Sequence, residues 1–312
     1  MASTIDPFGK SAKRQEKKVG CVTTVPITHA TPAGFCINAA SRQSQSDIAD
    51  LYLPLQFDVM LGGGMDYFSK NTRKDQVDRW SDFIQKGYQI AQNRSEMLQA
   101  DGRKPLLGVF DRDALPYQLD LQQDAEAQQR IPSLADMTRK AIALMSDHPK
   151  GFALQVESGK VDWAAHANDI GALIHEQIAF DQAVAVALEF VKGRTDTLLV
   201  ITTDHGNANP GLIYGKEAND HFDQVMRFTH TNEWLLNAID KNMSTSQVRD
   251  LLQQHLQLAP SEDEAAQLLK YYTGLEKEEA GLYNYKKLPY KYLAEWQKKA
   301  HIGGLDQHGP LG

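Results

Sequence analysis

Five short apolar runs, separated by helical patterns, constrain the fold of this chain most strongly. Each run is continuous, and most are bounded by Gly, Pro or charged residues, as expected for strands that are buried on both faces. Between the runs lie helical periodicities, most clearly over residues 170–191, where apolar residues form a broad stripe. The alternation predicts an α/β fold in which a mainly parallel sheet is sandwiched between helices. The predicted strands are Val19–Val25, Phe57–Leu61, Leu106–Phe110, Phe152–Val156 and Leu198–Thr202.

Two stretches depart from this alternation. Residues 65–104 are polar and rich in Gln, Arg and Asp, which predicts a small helical insertion. From about Gly206 no further strand pattern follows, and charged helical segments such as Ser244–Gln257 and Ser261–Tyr272 succeed one another. We therefore expect one α/β domain over residues 1–312, with a helical excursion at 207–312.

Composition excludes several classes of function. A formal net charge of −7 and a pI near 5.8, with little clustering of basic residues, argue against a nucleic-acid surface. No apolar run approaches the roughly 20 residues that a membrane span needs. The first residues carry no basic-then-apolar signal segment. Cys21 and Cys36 are too few for a disulfide framework, which predicts buried free thiols.

Five side chains near two predicted strand ends indicate a metal site. Glu157 ends one predicted strand, and Asp162 and His166 follow four residues apart, so on a helix they share one face. Asp204 and His205 follow the last predicted strand, where α/β sheets gather their ligands. Each motif alone also fits a solvated strand end or a helix cap. Together, the carboxylates and imidazoles form a ligand set suited to divalent metals of mixed hardness.

A second group of residues lies upstream. Thr31-Pro32 predicts a helix start, with Thr as the cap and Pro in the first turn. Arg42 follows Thr31 by three helical turns and could share its side of that helix, where a guanidinium would bind a tetrahedral oxyanion. The Gly62–Gly64 triplet lacks the Lys-Ser/Thr ending of a phosphate loop and predicts a tight turn.

These motifs together resemble the alkaline phosphatase family of metal-dependent phosphomonoesterases. The resemblance covers roughly residues 18–64 and 150–212, with motif order and spacing kept. It implies an alkaline phosphatase-like three-layer α/β/α fold. The segments that carry it are Gly20–Gly34, Asp58–Gly64, Val156–His166 and Thr202–Gly206.

The resemblance implies a centre of two zinc ions and one magnesium ion that hydrolyses phosphate monoesters through a phosphoserine. The implied metal ligands are Asp162 and His166 for the first zinc, Asp204 and His205 for the second, and Glu157 and Thr31 for magnesium. The remaining implied residues are Arg42, which would bind the substrate phosphate, and His29 and Trp163, which would tune phosphate and metal affinity.

The sequence also departs from the family pattern. The family nucleophile is a serine in an Asp-Ser-Ala-type segment before the region matched by Val19–Val25, and no such segment precedes Val19 in this chain. For the remaining ligand of the first zinc, His230 and His308 are the two candidates. We therefore expect the chain to be the middle of a longer phosphatase and an incomplete domain. Alone, it should bind zinc poorly and not turn over phosphomonoesters.

For the intact protein, the resemblance implies a periplasmic or extracellular location and a homodimer. Two alternatives stay open at this point. One is a related metal-dependent phosphodiesterase or sulfatase built on the same sheet. The other is a non-catalytic homologue that binds metal or serves as an interaction module.

Overall fold

A five-stranded sheet, parallel throughout, organises the first of two units in the structure. The structure is a computed structural model that describes residues 5–207, 216–276 and 286–300. The strand order is β3-β4-β2-β1-β5. The strands are β1 (Lys18–Pro26), β2 (Val59–Gly63), β3 (Gln89–Ala91), β4 (Leu106–Val109) and β5 (Phe152–Glu157). The first unit comprises Met1–Pro116, Ala125–Gly159 and Ile178–Val200.

Helices flank this sheet and complete an α/β three-layer fold, as predicted. The helix over residues 170–191 has the predicted bounds. In chain order the helices are α1 (Phe8–Arg14), α2 (Ala30–Cys36), α3 (Gln45–Tyr52), α4 (Arg79–Gln85), α5 (Arg94–Gln99), α6 (Gln118–Leu121), α7 (Ala125–Arg130), α8 (Leu134–Met145), α9 (Gly159–His166), α10 (Ile170–Val191), α11 (Ala218–Val225), α12 (Asn232–Ala238), α13 (Thr245–Leu256), α14 (Glu262–Tyr272) and α15 (Leu288–Lys299).

Four of the five predicted strands are confirmed as β1, β2, β4 and β5. The sequence pattern did not indicate β3, which lies within the polar stretch 65–104 and pairs with β4. With three residues, β3 is too short to show a period-two pattern. The central strands β1, β2 and β4 are almost wholly buried, which agrees with their continuous apolar sequence.

The predicted strand Leu198–Thr202 is wrong. Residues 197–203 have no strand pairing, and Leu198 and Val200 are 86% and 69% exposed. β-branched and apolar side chains favour an extended backbone, but a strand forms only where a neighbouring strand offers its free N–H and C=O groups. Within the described residues, β5 pairs on one side only, with β1, and all six of its residues are half-buried. The apolar sequence of residues 197–203 is therefore left in contact with solvent.

An exposed apolar segment and an open strand edge together promote association between chains. We expect the chain to self-associate with rising concentration, and a Leu198→Lys, Val200→Lys double variant to be more monomeric. Light scattering after gel filtration measures this. The control is Leu275→Lys, which changes another largely exposed leucine outside this segment and should leave association unchanged. A wild-type chain that stays monomeric at all concentrations would contradict the prediction.

The core of the first unit joins the sheet to α1, α2 and α3. Its largest fully buried side chains include Tyr52, whose hydroxyl donates to the Ile27 carbonyl over 2.6 Å. Cys21 and Cys36 are buried and free, as predicted, and burial raises the pKa of the Cys36 thiol. This core fixes the end of β1, from which the loop to α2 leaves.

The second unit is helical in its described residues. It comprises Tyr117–Asp124, Lys160–Gln177 and Ile201–Gly312, and its apolar core includes Leu235, Leu252 and Leu293. Throughout the described chain, no helix combines the length and apolar character needed to cross a membrane. The single-domain assignment, with excursions at 65–104 and 207–312, stays a prediction.

A buried carboxylate, Asp169, joins parts of this second unit. One carboxylate oxygen accepts from the Ala172 N–H (2.9 Å) and the other from the Asn232 N–H (2.6 Å). Asp169 is 2% exposed, and burial raises its pKa to about 7 although both N–H groups favour the charged form. Asp169 thus connects the start of α10 to the start of α12.

Asp169 predicts a pH-dependent stability. The pKa of the Asp169 carboxyl is higher in the folded state than in the unfolded state. The stability that its protonated form contributes is therefore complete below the unfolded pKa and is lost as the pH rises through about 7. We expect ionisation of Asp169 to lower the free energy of unfolding by about 2–3 kcal/mol as the pH rises from 5 to 8. Urea unfolding of Asp169→Asn should give a flatter pH profile, whereas Asp181→Asn, an exposed change on α10, should keep the wild-type slope. Identical slopes for Asp169→Asn and wild type would exclude this assignment.

Candidate metal centre

Helix α9 carries the first predicted ligand pair. It begins directly after β5, because Gly159 allows the chain to turn against β1, where a Cβ atom would lie 2.7 Å from a methyl carbon of Val25. Asp162 and His166 are one helical turn apart, and their Oδ1 and Nε2 atoms lie 3.6 Å apart. Their shared face is confirmed. The pair presents one carboxylate and one imidazole, both partly exposed, on the same face of α9.

Asp204 and His205 form a second carboxylate–imidazole pair. The Asp204 Oδ2 and His205 Nε2 atoms lie 3.3 Å apart, and both side chains are exposed. The pair follows a segment without strand pairing and not the strand that the sequence predicted. Backbone hydrogen bonds of a sheet therefore do not hold this pair in place.

Asn207 attaches this segment to α9. Its Nδ2 donates to Asp162 Oδ1 over 2.7 Å, so the segment bearing Asp204 and His205 is tied to a predicted ligand of the other zinc. The sequence motifs did not include Asn207. Its only signal is a polar side chain three residues after Asp204.

Glu157 is held at the carboxyl end of β5. It pairs in register with Thr23 of β1, and the Thr23 hydroxyl donates to Glu157 Oε2 over 2.6 Å. Thr23 is fully buried, so this hydrogen bond fixes the carboxylate. Thr23 was also missed, although it lies opposite Glu157 as soon as β1 and β5 are aligned.

The positions of Thr31 and Arg42 differ from those predicted from the sequence. Helix α2 begins two residues earlier than expected, with His29 at the cap position, so Thr31 lies inside the first turn and does not cap the helix. The helix ends at Cys36, so Arg42 lies in the following loop and not on the helix face of Thr31. The chain instead folds back, and an Arg42 guanidinium nitrogen lies 3.2 Å from His29 Nε2.

Lys160 fixes the base of α9. It is buried, and its ammonium lies 3.4 Å from the centre of the Tyr117 ring and 5.1 Å from that of Trp163. Such cation–π contacts stabilise a desolvated cation. Trp163, expected to tune the metal ligands, thus lies next to Asp162 along the helix and contacts Lys160. Neither Lys160 nor Tyr117 was identified from the sequence.

The structure groups these side chains in pairs. Over residues 5–207, 216–276 and 286–300, no three His, Cys, Asp or Glu side chains converge closely enough to hold a metal ion. The two candidates for the remaining zinc ligand also stay predictions. His308 lies outside the described residues, and the ring of His230 contacts Thr229, His255 and Trp234.

The known proteins that this chain resembles in sequence are alkaline phosphatases. The family model described as alkaline phosphatase matches residues 7–267. Alkaline phosphatase 4 of Bacillus subtilis (strain 168) is 33% identical over 261 residues, which are 82% of this chain and 54% of that protein. Alkaline phosphatase of Escherichia coli (strain K12) is 28% identical over 278 residues, or 71% of this chain and 58% of that protein.

Solved structures of alkaline phosphatases are also similar to this chain. Thermus thermophilus alkaline phosphatase superposes with a TM-score of 0.83 at 31% identity, covering 94% of this chain and 62% of that one. A mutant of the alkaline phosphatase of the Antarctic bacterium TAB5 with Mg bound gives a TM-score of 0.59 at 27% identity, covering 68% and 58%. The chain spans about half the length of the curated relatives it matches.

Proposed function

The chain belongs to the alkaline phosphatase family, and we propose that its site residues serve the hydrolysis of phosphate monoesters in the intact protein. The main support for this proposal is the grouping of candidate metal ligands at α9. That helix presents Asp162 and His166 on one face, and Asn207 ties the segment of Asp204 and His205 to Asp162. Carboxylate and imidazole together are the ligand types that zinc takes in hydrolytic centres.

Two zinc ions and one magnesium ion are the cofactors in this proposal. Asp162 with His166, and Asp204 with His205, would each hold a zinc ion, and their donor types fit because each pair combines one carboxylate and one imidazole. Glu157 and Thr31 offer only oxygen, which fits the harder magnesium ion. Bound metals of this kind supply Lewis acidity at the phosphoryl oxygens. Support for magnesium comes from the relative whose structure holds Mg.

The protein side chains would position the substrate. Arg42 is exposed and its guanidinium can bind two phosphoryl oxygens in a fork, while the nearby His29 nitrogen orients it. Thr23 keeps the Glu157 carboxylate in one rotamer by a 2.6 Å hydrogen bond. Lys160 and its two aromatic partners hold the start of α9, and with it Asp162.

The nucleophile is the missing part of the proposal. The resemblance places a phosphoserine in an Asp-Ser-Ala-type segment, and the 312 residues contain no such segment. We propose that the 312-residue chain is not catalytic by itself. On the family resemblance alone, we extend the proposal to a homodimer and to a periplasmic or extracellular location, which gel filtration and cell fractionation would test.

A hybrid enzyme tests the function. It joins to this chain the parts of the Thermus thermophilus phosphatase that the chain does not span. With zinc and magnesium, we expect hydrolysis of p-nitrophenyl phosphate in preference to bis(p-nitrophenyl) phosphate and p-nitrophenyl sulfate. Asp162→Ala and Asp204→Ala should abolish it, whereas Asp181→Ala, an exposed change on α10, should not. A folded, zinc-loaded hybrid that prefers the diester or the sulfate would overturn the monoesterase proposal.

A further inference from the structure

A second group of metal-ligating atoms lies in the helical unit, at the junction of α11, α12 and α13. Thr229 and His230 lie between α11 and α12, and His255 is the penultimate residue of α13. The Thr229 N–H donates to the His255 carbonyl over 3.0 Å, which holds the two backbones together. None of these residues is among the six metal ligands proposed for the phosphatase centre. His230 was one of two candidates for the remaining ligand of the first zinc, and its contacts with Thr229 and His255 favour a role at this junction instead.

Three side-chain atoms converge at this junction. The Nδ1 atoms of His230 and His255 lie 3.0 Å apart, and the Thr229 hydroxyl oxygen lies 3.0 Å from the first and 2.7 Å from the second. They form a nearly equilateral triangle. With metal–ligand bonds of roughly 2.1 Å, a cation above this triangle would lie about 1.2 Å from its plane. The three atoms can therefore contact one ion with little movement.

The surrounding contacts hold both rings in this orientation. The His230 ring lies on the Trp234 indole with 3.7 Å between centroids, and it meets the His255 ring edge-on with an interplanar angle of 90°. Thr231 caps α12 by accepting from the Trp234 N–H, so the position of the indole is also fixed. A site built in this way loses little side-chain entropy when an ion binds.

Two imidazoles and one hydroxyl are the donor groups of this cluster. Burial lowers the pKa of His230, which the neighbouring His255 lowers further, and burial also lowers the pKa of His255. Imidazole binds metal ions through a ring nitrogen. Two nitrogen donors favour zinc, nickel, cobalt or copper over magnesium and calcium, which prefer oxygen.

We propose that Thr229, His230 and His255 form an additional binding site for a divalent transition-metal ion such as zinc, separate from the phosphatase centre. The bound ion connects the start of α12 to the end of α13, and solvent molecules complete its coordination. The site has no carboxylate, so its affinity comes from the two imidazoles. Because the ion binds the folded chain, it raises the stability of this helical unit.

Zinc titration by calorimetry tests the proposal. All proteins carry Asp162→Ala and Asp204→Ala, which disable the phosphatase ligands. We expect one zinc ion per chain, with binding weakened by His230→Gln or His255→Gln at least as much as the roughly 10–100-fold caused by loss of an outer-shell partner. His221→Gln, a change on α11, is the matched control and should bind as the parent does. Affinity unchanged in both the His230 and His255 variants would overturn the site.

A second measurement needs no substitution at the site and so does not depend on the folding of the variants. Cobalt(II) added to the unaltered chain should broaden the ring resonances of His230 and His255 in NMR spectra. His148 and His175 are the internal references and should stay sharp. If the His230 and His255 signals stay sharp at saturating cobalt, the contacts are only hydrogen bonds within the protein and the proposal is wrong.

Discussion

The purified 312-residue chain is expected to hydrolyse p-nitrophenyl phosphate no faster than its Glu157→Ala, Asp204→Ala double variant, even with zinc and magnesium present. Removing the nucleophile of a hydrolase that works by covalent catalysis costs on the order of 10⁶ in kcat. The predicted metal ligands are also grouped in pairs, and no three of the described His, Cys, Asp or Glu side chains converge closely enough to hold a metal ion. The absent nucleophile and the incomplete sets of metal ligands both affect the attack on the phosphate ester.

The double variant is the appropriate control because it removes one predicted magnesium ligand, Glu157, and one predicted zinc ligand, Asp204. The rest of the sequence is unchanged. Residual hydrolysis common to both proteins would come from free metal or from contaminants. Turnover by the wild-type chain clearly above this control would show that a nucleophile is present in these residues. It would contradict the proposal that the chain alone is not catalytic.

Gly63→Ala is expected to destabilise the first unit more than any other single methyl addition in the sheet. A Cβ atom at Gly63 would lie 2.0 Å from the backbone oxygen of Asp113 and 3.1 Å from the Ala114 Cα. Backbone cannot rotate away as a side chain can. The same Asp113 oxygen accepts the Gly64 N–H over 2.6 Å, and Gly63 accepts the Ile27 N–H over 3.0 Å. Relief of the clash would therefore disturb β2 and the loop after β1, at a cost of about 3 kcal/mol.

Chemical denaturation followed by circular dichroism measures this loss. The matched control is Gly34→Ala, because a Cβ at Gly34 on α2 would meet no atom within 4 Å apart from its chain neighbours and the backbone of its own helix. Alanine there should be neutral or stabilise the helix by up to about 1 kcal/mol. Equal effects of the two substitutions would show that the close approach of the Asp113 backbone does not restrict Gly63.

Local patterns carried the sequence predictions that succeeded. Continuous apolar runs identified four of the strands, because a strand buried on both faces has no polar alternation. The stripe over residues 170–191 identified α10, and the spacing of Asp162 and His166 placed them on one face of α9. Each of these features depends on residues a few positions apart.

The predictions that failed depended on distant neighbours. Leu198–Thr202 has strand composition but no adjacent strand in the described structure, and β3 is a strand only because the β4 edge is available. Arg42 lies beside His29 because the chain turns after Cys36, which a spacing of whole helical turns could not anticipate. Thr23, Asn207 and Lys160 were missed for the same reason. Their roles depend on partners that are distant in the sequence.

The sequence by itself determined the family and the parallel α/β architecture, and it supplied the candidate ligands, because these follow from composition, local period and motif spacing. Only the tertiary structure decided which side chains meet. It paired Glu157 with Thr23, Asp162 with Asn207 and His230 with His255. Strand register and helix packing set such contacts, and both result from the whole core and from no single segment.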